Sequence, residues 1–129
     1  YEIAKFDHIF ERGLDFAMAN YTLREDGKID VLNTGVKDGR AKDAKGIAKT
    51  TNITGLLKVS CIGPFYSDYR ILMLDTNYQY ALVGGSNENY LWILSRTPQV
   101  DDATRSLILA EAEKRGYNTS KLVGVKQAW

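Results

Sequence analysis

Apolar residues fall in blocks of five to eight along this chain, spaced about ten residues apart, with Gly, Asn, Asp and Pro between the blocks. That pattern predicts an all-β barrel or sandwich. Strands are expected at about 1–6, 14–24, 28–36, 44–51, 56–62, 69–75, 78–85 and 89–96. The most informative stretch is NYLWILSRTP, Asn89 to Pro98. Strand side chains alternate faces, so Tyr90, Trp92, Leu94 and Arg96 share one face and Leu91, Ile93 and Ser95 the other. Both faces are apolar over most of their length, so both should be covered. YRILMLD (69–75) and YQYALVGG (78–85) have the same two-sided character.

A helix is expected from Asp101 to Arg115, where it can cover one side. Asp101 or Asp102 suits its N-terminus, Lys114 and Arg115 its last turn, and Gly116 the C′ position. Ala103, Leu107 and Ala110 form its apolar stripe, with Ile108 at the edge. LVGVKQ (122–127) reads as a short edge strand. Glu25-Asp26-Gly27 reads as a tight turn, and Asn77 and Gly84-Gly85 open two more. The charged, Gly-containing stretch Gly35–Gly46 reads as a mobile connection.

Alternation then assigns faces. Leu57, Val59, Cys61, Ile71, Met73, Ala81, Val83, Tyr90, Trp92 and Leu94 form one set. Lys58, Ser60, Leu72, Leu74, Tyr80, Leu82, Leu91 and Ile93 form the other. The second set is polar on 56–62 and apolar on the last three strands, as a helix lying outside those three strands would require. The first set then faces a barrel interior. Ala17, Ala19, Tyr21 and Leu23 are placed inside from the second strand, and Val31 from the third. The expected architecture is an eight-stranded antiparallel up-and-down barrel with an external C-terminal α-helix. Such a barrel either fills itself or holds one small ligand. Patterning leaves both outcomes open, although the small inward residues Ala17, Ala19, Ala44, Gly46 and Ala48 leave room.

Composition narrows the chemistry. The 129 residues suit one domain, taken as 1–129, and carry a formal net charge of +1. Without a Lys/Arg cluster on one face, nucleic-acid binding has no electrostatic footprint. A single cysteine, Cys61, excludes an internal disulfide and a Cys-based zinc site, and a single histidine, His8, excludes a His cluster. No cofactor is expected. No run approaches the ~18 apolar residues of a membrane span. No signal peptide is present, but the chain opens inside an apparent strand, so residues are expected upstream, and whether they include an export signal is left open. Cys61 invites an enzymatic reading, but a nucleophilic thiol needs a nearby base or positive charge. Its strand neighbours Val59 and Ile62 supply none.

The sequence resembles the lipocalins, closely their bacterial outer-membrane members, with plant temperature-induced lipocalins and apolipoprotein D as relatives. The likeness rests on YEIAKFDHIFERGL (1–14), YTLREDG (21–27), LKVSCIGPFY (57–66), LDTNYQYALVGG (74–85) and YLWILSRTP (90–98). Helix 101–115 and GYNTSKL (116–122) also fit. The family's Gly-x-Trp motif would fall just before Tyr1 and is absent from this sequence. Its second motif falls at Thr76-Asn77-Tyr78, with Asn77 in place of the acid. The third is Arg96, whose guanidinium would stack on the missing indole.

The resemblance implies a small apolar or amphipathic ligand, a fatty acid or lysophospholipid, in the barrel cavity. It also implies a lipoprotein on the periplasmic face of an outer membrane, held by a lipid anchor that lies outside this sequence. The ligand-binding set is Ala17, Ala19, Tyr21, Val31, Leu57, Val59, Cys61, Tyr69, Ile71, Met73, Val83, Tyr90 and Trp92. Phe6, Phe10, Arg12, Phe65 and Tyr66 are expected at the mouth, where Lys37, Arg40 and Lys42 also fall. Outward Phe16 and Met18 leave a homodimer surface open. A Cys61 enzyme and a ligand-free interaction scaffold are the rival readings.

Overall fold

The structure, a computed structural model, describes residues 1–6, 14–62, 65–125 and 127, without the side chains of 6, 14, 61, 62 and 65–67. Its strands are β1 (Glu2–Phe6), β2 (Leu14–Leu23), β3 (Ile29–Lys37), β4 (Arg40–Thr50), β5 (Leu56–Ile62), β6 (Phe65–Leu74), β7 (Tyr80–Gly84), β8 (Leu91–Ser95) and β9 (Leu122–Gly124). One helix, α1 (Asp102–Lys114), lies between β8 and β9. All pairings are antiparallel, in the order β2-β3-β4-β5-β6-β7-β8-β1-β9. The eight long-expected strands are present, and the short ninth adds to the edge of β1.

Local chemistry sets the turns. Gly27, at φ +84°, closes the β2–β3 turn, where Arg24 N donates to Lys28 O at 2.7 Å. The stretch Gly35–Gly46 is strand on both sides of a two-residue hairpin, not an irregular connection. Asp38 and Gly39 both take positive φ, 54° and 76°, as a hairpin whose turn matches strand twist requires. Lys37 pairs with Arg40 directly across it.

Of the four register irregularities among the described strands, those in β1 and β6 set faces that simple alternation does not. The β6–β7 register shifts between Ile71 and Met73, so Ile71 pairs with Val83 but Met73 pairs with Leu82. An extra residue of this kind moves everything after it to the other face. Leu72 and Met73 both pack on the helix-side core. Met73, expected inside the barrel, is therefore outside it. Leu74, expected under the helix, pairs with Ala81 on the inward face and is exposed. A second shift lies in β1 between Glu2 and Ala4.

The core lies between α1 and the outer face of β7, β8 and β1. Ile3, Ala4, Leu82, Leu91, Ile93, Ile108 and Ala112 are buried together, with Leu72, Tyr80, Leu109 and Tyr117 against them. Asp101 caps α1 by accepting from Thr104 N at 2.7 Å, and Gly116 follows the helix at φ +90°. The buried helix residues are Ile108 and Ala112, with half-buried Thr104 one turn before them. Ala103, Leu107 and Ala110 face solvent, with Leu107 53% exposed and Ile108 0%. Apolar residues occur almost all round this helix, so its own periodicity did not select the face. The sheet beneath selected it.

The seam between β1 and β2 is closed differently from the rest. Gln127 Nε2 donates to Glu2 O at 2.7 Å and to Ala17 O at 2.9 Å, joining the two strands through one side chain. On the outer face of β5 and β6, Asp68 accepts from Lys58 and, at 3.1 Å, from Arg70.

Replacing Ile108 with Ala empties a fully enclosed position and is expected to cost about 2–5 kcal/mol by urea denaturation. Leu107→Ala should cost under about 0.5 kcal/mol; the reverse ranking would mean that α1 is rotated. Hydrogen bonding from Lys58, then the charges of Lys58 and Arg70, hold the Asp68 carboxyl below its ordinary value of 3.8. Its stabilisation is therefore present above that value and lost as pH falls through the lowered one. Asp68→Asn is expected to lower the melting temperature at neutral pH, with the difference closing in strong acid. A difference that does not change with pH would remove the ion pair as its cause.

Candidate functional site

Residues paired across antiparallel strands share a face, so the register fixes the inward set. Tyr21 pairs with Val31, Val31 with Gly46, Ala19 with Asn33, Ala48 with Val59, and Leu57 with Tyr69. Ile71 pairs with Val83, Val83 with Trp92, and Ala81 with Leu94. These side chains, together with Ala17, line a lumen whose β2–β4 wall is built largely of Ala, Gly and Val. Ala17, Val31, Ala48 and Val83 are buried in that wall. Large side chains project from it and stay accessible: Tyr21 is 51% exposed and Leu23 74%, and Leu74 and Tyr90 are also exposed.

Aromatic rings organise the mouth side. Tyr69 stacks on Trp92 with centroids 6.0 Å apart, and Tyr90 stacks on Trp92 at 6.2 Å. Gly85 makes the second contact possible, because a Cβ there would lie 2.7 Å from Tyr90 Cβ. The Tyr69 hydroxyl bonds to that of Tyr21, 3.2 Å away. Burial pushes the Tyr21 phenol pKa up, its bond to Tyr69 pulls it down, and the Glu2 carboxylate pushes it up again. The lumen admits water to part of this ring while the barrel wall crowds the remainder.

Glu2 and Lys5 belong to the same interior. Glu2 pairs with Leu94 and Lys5 with Trp92, and both are buried. Strict alternation in YEIAKF would set them on opposite faces. The irregularity between Glu2 and Ala4 sets them on one face, a feature with no mark in the sequence. Arg96, exposed at the turn end, donates from Nε to Tyr78 O at 2.7 Å and so holds the turn between β6 and β7. Among the described residues, no group of three His, Cys, Asp or Glu side chains could hold a metal ion. The side chains of Phe6, Cys61, Phe65 and Tyr66, and all of His8, Phe10, Arg12 and Trp129, lie outside the described residues.

Residues 1–127 match the family model for a lipocalin-like domain. The chain is a lipocalin. It is 48% identical to the outer membrane lipoprotein Blc of Citrobacter freundii over 131 residues, covering 98% of this chain and 74% of that protein. It is 38% identical to temperature-induced lipocalin-1 of Arabidopsis thaliana, covering 95% of this chain and 72% of that protein. Among solved structures, lobster apocrustacyanin A1 superposes with a TM-score of 0.81 at 19% identity, covering 100% of this chain and 76% of that one. That last likeness is one of fold: the curled antiparallel sheet and its C-terminal helix are those of a lipocalin.

Within this lipocalin, Gly85→Ala should drive Tyr90 off Trp92. The expected cost is about 1–3 kcal/mol, the range for overpacking, with a change in Trp92 emission in a Trp129→Phe background. Unchanged stability and emission would show that Tyr90 is not seated on Gly85.

Proposed function

We propose that this lipocalin binds and carries a small apolar or amphipathic ligand, a fatty acid or lysophospholipid, in its lumen. The observation that carries the reading is the accessibility of apolar side chains on the inward face: Tyr21, Leu23 and Leu74 lie on that face by register and Tyr90 stacks on inward Trp92, and all four remain exposed. Apolar surface left accessible inside a barrel gains free energy when an apolar molecule displaces water from it, at about 25 cal/mol per Å². The walls offer small residues beside aromatic rings, with Glu2, Lys5 and the Tyr21 and Tyr69 hydroxyls as polar groups among them, a make-up that suits an amphipathic small molecule.

We place the protein at the outer membrane on its periplasmic face, attached by a lipid anchor outside this sequence and built as one barrel domain over residues 1–129. The support is the name of the relatives from Citrobacter freundii, Escherichia coli and Vibrio cholerae, each an outer membrane lipoprotein at 45–48% identity. We read it as a carrier and not as an enzyme. Fast labelling of Cys61 by a thiol reagent at neutral pH, blocked by a fatty acid, would favour the enzyme instead.

Titration with a long-chain fatty acid in a Trp129→Phe background should change Trp92 fluorescence with one-to-one stoichiometry. Ala19→Phe adds bulk on the lumen face and should weaken binding about ten- to a hundredfold. Asn20→Phe points to the opposite face and should leave affinity nearly unchanged. Equal weakening by both would put the ligand outside the barrel.

A further inference from the structure

In the sheet order, β2 and β6 stand four steps apart, and the sheet curls until Gln127 joins β1 to β2, so β2 and β6 face each other across the lumen. Tyr21 on β2 and Tyr69 on β6 both face inward, as their partners Val31 and Leu57 show. Their hydroxyls nevertheless meet at 3.2 Å. The two rings and the bond between them therefore cross the lumen from wall to wall. β2 runs from the mouth down to the turn at Arg24–Lys28. On β2, Ala17 and Ala19 lie on the mouth side of the crossing. Leu23 and Leu74, both exposed, lie on the turn side.

We propose that the Tyr21–Tyr69 hydroxyl bond is a crossbar that divides the lumen in two and sets the length of alkyl chain the mouth-side compartment accepts. This rests on the lumen being the binding site. One phenol donates and the other accepts, and the Tyr69 ring is braced, stacked on Trp92, which is itself stacked on Tyr90. A chain entering from the mouth passes the small wall residues Ala17 and Ala19 and then meets two hydroxyls joined across its path. To go further it must break a hydrogen bond without replacing it, because a methylene neither donates nor accepts. It must also push aside two rings. Beyond them the exposed leucines offer apolar surface that a chain can use only once the bar is gone. The crossbar thus makes Tyr21 and Tyr69 specificity-determining residues for chain length.

The test is a series of saturated fatty acids from octanoate to stearate, titrated by Trp92 fluorescence in a Trp129→Phe background. For the parent, affinity should rise about fourfold per added methylene up to one length and then level off. Tyr21→Phe and Tyr69→Phe remove the same bond while keeping the rings, so each should move the levelling point to longer chains by the same amount. Tyr21→Ala should let affinity climb through stearate. The proposal is overturned if the parent shows no levelling. It is also overturned if the point stays put in all three variants, or if it moves only with Tyr21→Ala, which would make the ring and not the bond the stop. Absence of saturable binding at every length in the parent would instead bring down the lumen as the site, and the crossbar with it.

Discussion

An antiparallel strand gives each side chain one of two faces, and curling the sheet makes those faces unequal. In this lipocalin the convex face of β7, β8 and β1 is covered by α1, while the concave face of every strand looks into a lumen. Each residue's role follows from that assignment before any detail of its chemistry. Leu82 and Ile93 are core because they point out and meet Ile108. Val83 and Trp92, one position away, point in and line the site. A shift of one residue in register exchanges the two roles. The irregularities in β1 and β6 are therefore decisive elements: one brings Glu2 and Lys5 together inside, and the other hands Met73 to the core and Leu74 to the lumen.

The two sides of the sheet are packed by different rules. The convex side is closed: Leu82, Leu91 and Ile108 are fully enclosed, and each contributes about 1.5–3 kcal/mol by leaving water. The concave side keeps large apolar side chains accessible and relies on a few polar contacts to fix them. Stability is thus concentrated under α1, and the lumen can keep accessible surface because it is not what holds the sheet together. The small residues of β2–β4 serve the same division. They add little burial, and they leave space opposite the aromatic rings.

Much of this was legible in the sequence. Strand spacing, the Asp101 cap, Gly116 and the Glu25–Gly27 turn all have local chemical signatures, and the structure uses each of them. Alternation placed Tyr69, Ile71, Val83, Tyr90 and Trp92 correctly on the inward face because no irregularity interrupts those positions. It failed at Met73 and Leu74, where an extra residue was inserted, since such an insertion depends on how neighbouring strands are staggered and not on its own residues. The helix failed for a related reason. Leu107 and Ile108 are equally apolar, and only the shape of the sheet distinguishes them. The Tyr21–Tyr69 contact was likewise out of reach, because it joins strands that are not neighbours. Alternation gave both faces, but the distance across the lumen belongs to the curl of the whole sheet.

Gln127 ties Glu2 to Ala17, positions 125 and 110 residues away along the chain. β1 has the same dependence, since its ladder partners β8 and β9 come from the last third of the sequence. During synthesis the first strand therefore waits for the end of the chain, with its edge unpaired and Ile3 and Ala4 uncovered. Contacts of such long separation are reached only after costly loop closure, which makes folding slow and the waiting edge prone to wrong pairing. The barrel is consequently sealed last at the place where it began, and the time before that seal is when the chain is most open to capture by another strand.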